Sequence, residues 1–237
     1  MAKGVLYMSP CPISDSTAGY DVVPEANRDI INSLDYFIVE NVRSARRFLS
    51  KAGIERKIDD LEFVELNEHT REGVAIEAMV KPIVEGRSAG VISEAGVPGV
   101  ADPGALVAEA CHRRGVRVVP LVGPSSILLA MMASGLNGQS FAFNGYLPVK
   151  PPERAKALKM FERRAQVEHQ SQIFIEAPYR NVKLVEQMLA LLSPATRLTI
   201  ACDITSPEEI IVTHTVEQWR RAAMPDIAKR PTIFIIG

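Results

Sequence analysis

A glycine-rich loop decides how this chain folds: Ser93-Glu94-Ala95-Gly96-Val97-Pro98-Gly99-Val100-Ala101-Asp102-Pro103-Gly104. The residues before it, Ala89–Ile92, have the pattern of a strand, and those after it, Ala105–Arg114, that of a helix. Glycine lets the backbone approach a ligand closely, and proline lowers the entropy lost when a loop is ordered. Because open α/β sheets bind ligands at the carboxyl ends of their strands, the loop predicts a ligand site. The alternative is a tight connection in which Asp102 caps the next helix.

Strands and helices alternate on both sides of this loop in the first half of the chain. Further strand patterns are Val5–Met8, Tyr36–Val39 and Val116–Val119, and further helix patterns are Arg28–Ser33, Val42–Ala52 and Val74–Glu85. This alternation predicts a parallel, doubly wound sheet. The rigid segment Pro120–Pro124 predicts a joint between an N-terminal domain, residues 1–119, and a C-terminal domain, residues 120–237.

The second half has a different pattern. Helices are predicted at Ser126–Ser134, from Pro151 or Pro152 to about Val167, at Val182–Leu192 and at Val216–Ala223, and strands at Phe141–Asn144, Ile173–Glu176, Leu198–Asp203, Ile210–Thr213 and Thr232–Ile236. Two successive strands without a helix between them predict a mixed sheet. The turn Gly123–Ser126 opens a helix, where free N–H groups and hydroxyls suit a polar ligand group. Plain capping by Ser125 is the alternative.

Composition excludes several classes of protein. With 47% hydrophobic and 23% charged residues the chain is typical of a globular protein. No apolar run reaches the roughly 20 residues of a membrane helix, so no membrane partner is expected. The formal net charge of −1 does not suit a protein that coats nucleic acid, so RNA recognition would need a local basic patch.

Cysteine and glycine placement narrows the chemistry. Cys11, Cys111 and Cys202 are far apart, which predicts free thiols in a reducing compartment, the cytoplasm. No His, Cys and carboxylate cluster has metal-ligand spacing, so no metal is predicted. The first loop, Ser9–Asp15, contains no glycine, which argues against a Rossmann dinucleotide site, and no Walker A pattern is present.

Five segments of the chain carry recognisable motifs: Ser93–Gly104, Val122–Leu136, Phe141–Pro148, Ile175–Arg180 and Ala201–Glu209. In register, they resemble the tetrapyrrole methylase superfamily, specifically its branch that methylates a ribose 2′-hydroxyl of cytidine in small-subunit ribosomal RNA. Ser93–Gly104 resembles the Ser-Asp-Ala-Gly-Thr-Pro-Gly-Ile-Ser-Asp-Pro-Gly loop of that branch. Val122–Leu136 resembles its Pro-Gly-Pro-Ser-Ala helix, and Phe141–Pro148 its Phe-x-Phe-x-Gly-Phe-Leu-Pro segment. Ile175–Arg180 resembles its Tyr-Glu-Ser-Pro-His-Arg, and Ala201–Glu209 its Arg-Glu-Leu-Thr-Lys segment. The order and spacing agree across almost the whole chain.

The resemblance implies a two-domain α/β fold, with a parallel N-terminal and a mixed C-terminal sheet and S-adenosylmethionine between the two. It implies that these residues hold the cofactor: Ile13, Gly96, Val97, Pro98, Val100, Ser126, Ile127, Ala177, Cys202, Pro231 and Thr232. Glu40, Arg43 and Glu176 are the catalytic candidates. A ribose hydroxyl is a poor nucleophile that a carboxylate acceptor would assist, and Arg43 suits a neighbouring phosphate. The expected partners are ribosomal RNA or the small ribosomal subunit and a second copy in a homodimer, with no DNA.

Departures from the family pattern keep two alternatives open. Asn41 stands where the family has Asp, Ser206 stands where it has Lys, and Ala228–Pro231 replaces its Lys-Gly-Glu. The alternatives are a small-molecule, tetrapyrrole-like methyltransferase and a relative that binds the cofactor without catalysis. If the substrate is RNA, the best candidates for phosphate contact are Arg43, Arg46 and Arg47. The only loop aromatics that suit base stacking are Tyr146 and Tyr179. The pair Glu68-His69 resembles a Glu-His pair in the family.

Overall fold

The computed structural model describes residues 2–17, 19–66 and 73–237 and divides into two compact units, Met1–Ser125 and Ser126–Gly237. Among these residues no helix is long and apolar enough to cross a membrane.

The first unit contains a five-stranded sheet in which every pairing is parallel. Its strands are β1 (Val5–Met8), β2 (Tyr36–Val39), β3 (Glu62–Glu65), β4 (Ala89–Ile92) and β5 (Arg117–Pro120), in the order β3-β2-β4-β1-β5. Its helices are α1 (Gly19–Val22), α2 (Arg28–Ser33), α3 (Val42–Lys51), α4 (Gly73–Val84) and α5 (Gly104–Arg113). Short 3₁₀ turns occupy Glu25–Asn27 and Ile58–Asp60. The predicted parallel sheet is confirmed.

Burial explains which strands the sequence reveals. All four residues of β2 and of β4 are buried, as expected for strands covered by helices on both faces. Strand β3 lies at the edge of the sheet, with Glu62 and Glu65 exposed at its two ends. This strand is missing from the sequence prediction because only Phe63 and Val64 are apolar, which is too short a run to detect.

The second unit contains a mixed five-stranded sheet in the order β6-β7-β10-β8-β9. Its strands are β6 (Phe141–Tyr146), β7 (Ser171–Ile175), β8 (Arg197–Cys202), β9 (Ile210–Thr215) and β10 (Thr232–Ile236). Its helices are α6 (Ser126–Ser134), α7 (Pro151–Val167), α8 (Asn181–Leu191) and α9 (Val216–Trp219), and Pro178–Arg180 forms a 3₁₀ turn. Strands β6 and β7 are parallel and the other pairs antiparallel, which confirms the predicted mixed sheet.

Aromatic stacking fills the core of the second unit. The ring of Phe174 lies 6.3 Å from that of Phe161 and 6.2 Å from that of Phe234, centroid to centroid. The indole Nε1 of Trp219 donates a 2.8 Å hydrogen bond to the carbonyl of Leu198. Helix α9 ends at this residue, so the predicted helix Val216–Ala223 is four residues too long.

The segment after β5 packs against the first unit. The backbone N–H of Leu121 donates to Met8 O at 3.0 Å, and the side-chain amide of Asn27 donates to Val122 O at 2.8 Å. A Cβ atom on Gly123 would lie 2.2 Å from the Pro10 ring, so only glycine fits there. These contacts fix the course of the chain up to Ser125.

Candidate functional site

The first loop and the glycine-rich loop of the first unit are joined by an isolated β-bridge. The N–H of Cys11 donates to Gly96 O at 2.9 Å, and the two residues pair in antiparallel fashion. Gly96 has φ +73°, and a Cβ atom there would lie 3.2 Å from Pro124 O and 3.6 Å from Ile13 Cγ1. The loop of Ile13, the glycine-rich loop and the Pro124 turn therefore meet at Gly96.

Asp102 holds the rest of the glycine-rich loop in its turn. Its Oδ1 accepts hydrogen bonds of 2.7 Å from the N–H groups of both Gly99 and Gly104. Gly104 is the first residue of α5, so Asp102 also stabilises the start of that helix, as the alternative interpretation of the loop expects. The predicted contacts differ in exposure: Pro98 is buried, Val97 half-buried and Val100 exposed.

Glu40 follows β2 at the same edge of the sheet. Its Oε2 accepts a 3.2 Å hydrogen bond from the backbone N–H of Glu94, and its carboxyl group lies within hydrogen-bonding reach of Asp102. Burial raises the pKa of Glu40 above its usual range, and the charges of Asp102 and Glu94 raise it further, against the lowering effect of the Glu94 N–H. Glu40 is therefore a stronger base than an ordinary carboxylate.

One of the three arginines of α3 has no partner among the residues that the structure describes. Arg46 pairs with Asp59, and Arg47 makes a two-pronged contact with Asp15 at 2.9 and 3.1 Å. Arg43 is exposed and makes no hydrogen bond or ion pair with the residues that the structure describes. Of the three arginines that the sequence predicts to contact phosphate, we therefore keep only Arg43 as a candidate.

A cleft lies between α3 and the two loops. It is lined on one side by Cys11, Ser93 and Glu94, and on the other by Ser44, Arg47 and Lys51. Asn41 begins α3, where its side chain accepts a 3.1 Å bond from Ser44 N. The departure from the family at this position keeps the cap, because Asn and Asp are equally good capping residues.

Glu176 is a buried carboxylate in the second unit, directly after β7. Its Oε1 accepts hydrogen bonds from Ala177 N at 2.7 Å and from the Nε and Nη2 atoms of Arg180 at 2.8 and 2.5 Å. Its Oε2 is buried and has no hydrogen-bond partner in the described part of the chain. Such an orphaned acceptor suits a donor group of a ligand.

Most of the other predicted cofactor residues of this unit are grouped at one edge of its sheet, where several neighbouring strands begin or end. Cys202 ends β8, and its register partner Thr232 begins β10. The carbonyl of Pro231 accepts a 3.0 Å bond from Asp203 N. Ala177 follows β7, the other neighbour of β10, so it lies at the same edge. Ser126 and Ile127 form the first turn of α6, which packs on β9 and β10.

Arg230 is a residue of this edge that the sequence did not single out. Its Nε donates to Asp203 Oδ2 at 2.7 Å, and its Nη2 donates to Glu208 O at 2.8 Å. It therefore fixes the loop after β8, where Asp203 and Thr205 have positive φ values of 48° and 71°. The one clue in the sequence to the role of Arg230 is that it lies in the segment that replaces the family's Lys-Gly-Glu.

The three cysteines are buried, free thiols. Burial raises the pKa of Cys11 to about 12 and that of Cys111 to about 11, and it also raises the pKa of Cys202. Among the described residues no three His, Cys, Asp or Glu side chains are grouped as a metal site would require. Glu68 and His69 lie outside those residues.

Comparisons with known proteins identify relatives of this chain. A family model described as Tetrapyrrole (Corrin/Porphyrin) Methylases matches residues 23–219. Ribosomal RNA small subunit methyltransferase I of Vibrio cholerae is 32% identical over 207 residues, which cover 87% of this chain and 67% of that protein. Its Escherichia coli O157:H7 counterpart is 30% identical over 210 residues, covering 89% and 68%.

Solved structures show the same fold at lower identity. The methyltransferase CobJ has a TM-score of 0.66 at 18% identity, covering 99% of this chain and 94% of that one. Uroporphyrin-III C-methyl transferase from Thermus thermophilus, complexed with S-adenyl homocysteine, has a TM-score of 0.55 at 17% identity, covering 99% and 97%. The fold and these similarities define an enzyme that transfers methyl groups, a methyltransferase. The chain belongs to the family of tetrapyrrole (corrin/porphyrin) methylases.

Proposed function

We propose that this enzyme methylates a ribose 2′-hydroxyl in small-subunit ribosomal RNA. The observation that carries the proposal is that two suitable groups lie three residues apart in the chain. Glu40 is a carboxyl with a raised pKa beside the glycine-rich loop, and Arg43 is an exposed cation that has no partner among the described residues. A base and a cation three residues apart suit a hydroxyl next to a phosphate. The relatives named as ribosomal RNA methyltransferases support the same substrate.

The residues present fit S-adenosylmethionine. At Gly96 an added Cβ atom would lie 3.2 Å from the carbonyl of Pro124, so glycine lets the two loops pack closely together. In the second unit the buried Oε2 of Glu176 has no partner among the described residues, which suits a donor group of the cofactor. The residues proposed to hold the cofactor remain those that the resemblance implies: Ile13, Gly96, Val97, Pro98, Val100, Ser126, Ile127, Ala177, Cys202, Pro231 and Thr232. When bound, S-adenosylmethionine supplies a methyl group that its sulfonium already activates.

The protein's own residues then have distinct tasks. Glu40 would accept the proton that the 2′-hydroxyl loses when it takes the methyl group, with S-adenosylhomocysteine as the other product, and would return that proton to solvent. Arg43 holds a neighbouring phosphate and so orients the ribose. Glu176 is a positioning residue, since it fixes the Ala177 N–H and the Arg180 guanidinium and leaves Oε2 for a ligand donor.

A homodimer in the cytoplasm is part of the proposal. Helix α6 is apolar on all sides, and its Leu128 and Met132 side chains are 52% and 79% exposed. An exposed apolar patch of this kind is typical of an interface between subunits. Sedimentation of the purified protein measures the assembly: a dimer that Met132→Glu dissociates supports this face, and a monomeric wild type contradicts it.

A second candidate is methylation of a small tetrapyrrole. It is favoured by the fold neighbours, which are named as tetrapyrrole methyltransferases, and by the net charge of −1. On this alternative Arg43 would contact a carboxylate of the macrocycle instead of a phosphate.

The decisive experiment uses radiolabelled S-adenosylmethionine and small ribosomal subunits from a strain that lacks the gene. We expect label on a single ribose, no transfer by Glu40→Gln, and normal transfer by Glu109→Gln, a control at an exposed carboxylate on α5. If subunits take no label while uroporphyrinogen does, the small-molecule candidate replaces this one. If neither takes label although S-adenosylhomocysteine binds in calorimetry, the protein is a non-catalytic relative.

A further inference from the structure

Two exposed tyrosines lie at one edge of the second sheet. Tyr146 ends β6, and its register partner Ile175 ends the neighbouring parallel strand β7. Gly145 has φ +65°, and the register shifts between Phe143 and Tyr146, as at a β-bulge that redirects a side chain. Tyr179 follows in the turn after β7. The two tyrosines are 63% and 71% exposed, unusually high values for large aromatic residues.

Arg180 lies beside the Tyr179 ring, and the buried Glu176 fixes its position. Its guanidinium carbon is 5.3 Å from the centroid of the Tyr179 ring, within the range of a cation–π contact. The buried Glu176 fixes its Nε and Nη2, and this hydrogen bonding is the main reason that the pKa of Arg180 is raised. Tyr146 lies at the same end of the sheet, because its register partner Ile175 directly precedes Glu176.

Two lysines add positive charge to this surface. Lys183 lies one helical turn beyond Tyr179, in α8. The backbone N–H of Lys229 donates to Pro178 O at 3.2 Å, which places Lys229 next to the turn that carries Tyr179. Both lysines are exposed, and neither side chain has a hydrogen bond or ion pair within the described ranges. The surface thus combines two aromatic faces with uncompensated cations.

We infer that Tyr146, Tyr179 and Arg180 form a stacking platform for an unpaired RNA base, with Lys183 and Lys229 contacting the phosphates that flank it. Proteins recognise single-stranded RNA by stacking splayed bases on tyrosine rings and arginine planes, because every base has a π-face. The inference rests on the proposed function, since it assigns an unpaired base of the RNA substrate to a surface of this enzyme. The adenine of the cofactor is the other source of such a base.

The test measures RNA binding without methyl transfer. A fluorescein-labelled single-stranded RNA oligonucleotide is titrated by anisotropy with the wild type, with Tyr146→Ala and Tyr179→Ala, and with the corresponding Tyr→Phe variants. Each alanine variant is expected to bind about tenfold more weakly, whereas phenylalanine keeps the stacking face and binds as the wild type does. Phe141→Ala is the control, because Phe141 is 38% exposed at the opposite end of β6.

Salt dependence and a second ligand sharpen the test. Lys183→Ala and Lys229→Ala should each reduce the slope of log affinity against log salt by about one. Calorimetry with S-adenosylhomocysteine should give the same affinity for the wild type and for both alanine variants. A drop in that affinity with unchanged RNA binding would place the rings on the cofactor's adenine and overturn the inference.

The two proposals fail in different ways. If the wild type methylates ribosomal subunits and both alanine variants bind RNA and methylate with an unchanged KM, the platform is wrong and the proposed function stands. If the wild type transfers no methyl group to ribosomal subunits, the proposed function is wrong, whatever the tyrosine variants do.

Discussion

Replacing Asp102 tests how the glycine-rich loop is held. Asp102→Ala removes the acceptor of the 2.7 Å bonds from Gly99 N and Gly104 N. A hydrogen bond to a charged group contributes about 1.5–3 kcal/mol, so two of them total at least about 3 kcal/mol. The loss of repulsion between Asp102 and Glu40 offsets a small part of this. We therefore expect Asp102→Ala to lower the free energy of unfolding of the first unit by about 3 kcal/mol.

Asp102→Asn separates hydrogen bonding from charge. Its amide oxygen still accepts both N–H groups, so the stability loss should stay within about 1 kcal/mol. Removing the charge should also lower the pKa of Glu40 and shift the acidic limb of the activity profile to lower pH.

The assay for both variants is denaturant unfolding followed by circular dichroism, together with hydrogen exchange of the Gly99 and Gly104 amides. Trp219, the single tryptophan, reports on the second unit and should change little. An Asp102→Ala protein whose unfolding free energy and amide protection equal those of the wild type would refute the reasoning.

Three further predictions follow from individual contacts. The kcat/KM of the wild type should rise as pH passes through the pKa of Glu40, which lies above the ordinary 4.5, and Glu40→Gln should abolish this dependence. Because the pKa of Glu40 is raised in the folded protein, the stability of the wild type relative to Glu40→Gln should fall over the same pH range. The buried Glu162 accepts bonds from Ser193 N, the Thr196 hydroxyl and Lys159, which outweigh burial and lower its pKa. Glu162→Ala should therefore cost about 3 kcal/mol in thermal unfolding at neutral pH, and this cost should decrease as pH falls below 4.5. Gly96→Ala should weaken S-adenosylhomocysteine binding in calorimetry, because its Cβ meets Pro124 O; Gly53→Ala, with φ +69° and open space around it, is the control, and equal binding by both variants would contradict this loop's role.

The sequence predicts well what depends on local pattern. For the buried strands Tyr36–Val39 and Ala89–Ile92, the predicted first and last residues are the observed ones, because both faces of these strands are apolar. Edge strand Glu62–Glu65 is missed because half of its residues are charged. The strand orders β3-β2-β4-β1-β5 and β6-β7-β10-β8-β9 do not follow from periodicity, since they depend on which strands pair over long sequence separations.

Pairwise contacts limit what the sequence can predict about the site. Arg43 and Arg47 look alike on one helix face, yet Asp15, thirty-two residues away, neutralises only Arg47. Tyr146 and Tyr179 are far apart in the sequence, and the pairing of β6 with β7 places Tyr146 beside Ile175, just before the turn that carries Tyr179. Each arrangement requires the fold, because the partners are set by tertiary packing and not by spacing.

The buried thiols give the protein a built-in set of unfolding reporters. Alkylating reagents attack the thiolate, which is scarce at neutral pH in groups with pKa values of about 12 for Cys11 and about 11 for Cys111. Modification therefore requires the surrounding structure to open. Cys11 lies in the first loop, Cys111 in α5 and Cys202 at the end of β8, so mass spectrometry of the alkylated peptides would time the opening of each region separately without any engineered label.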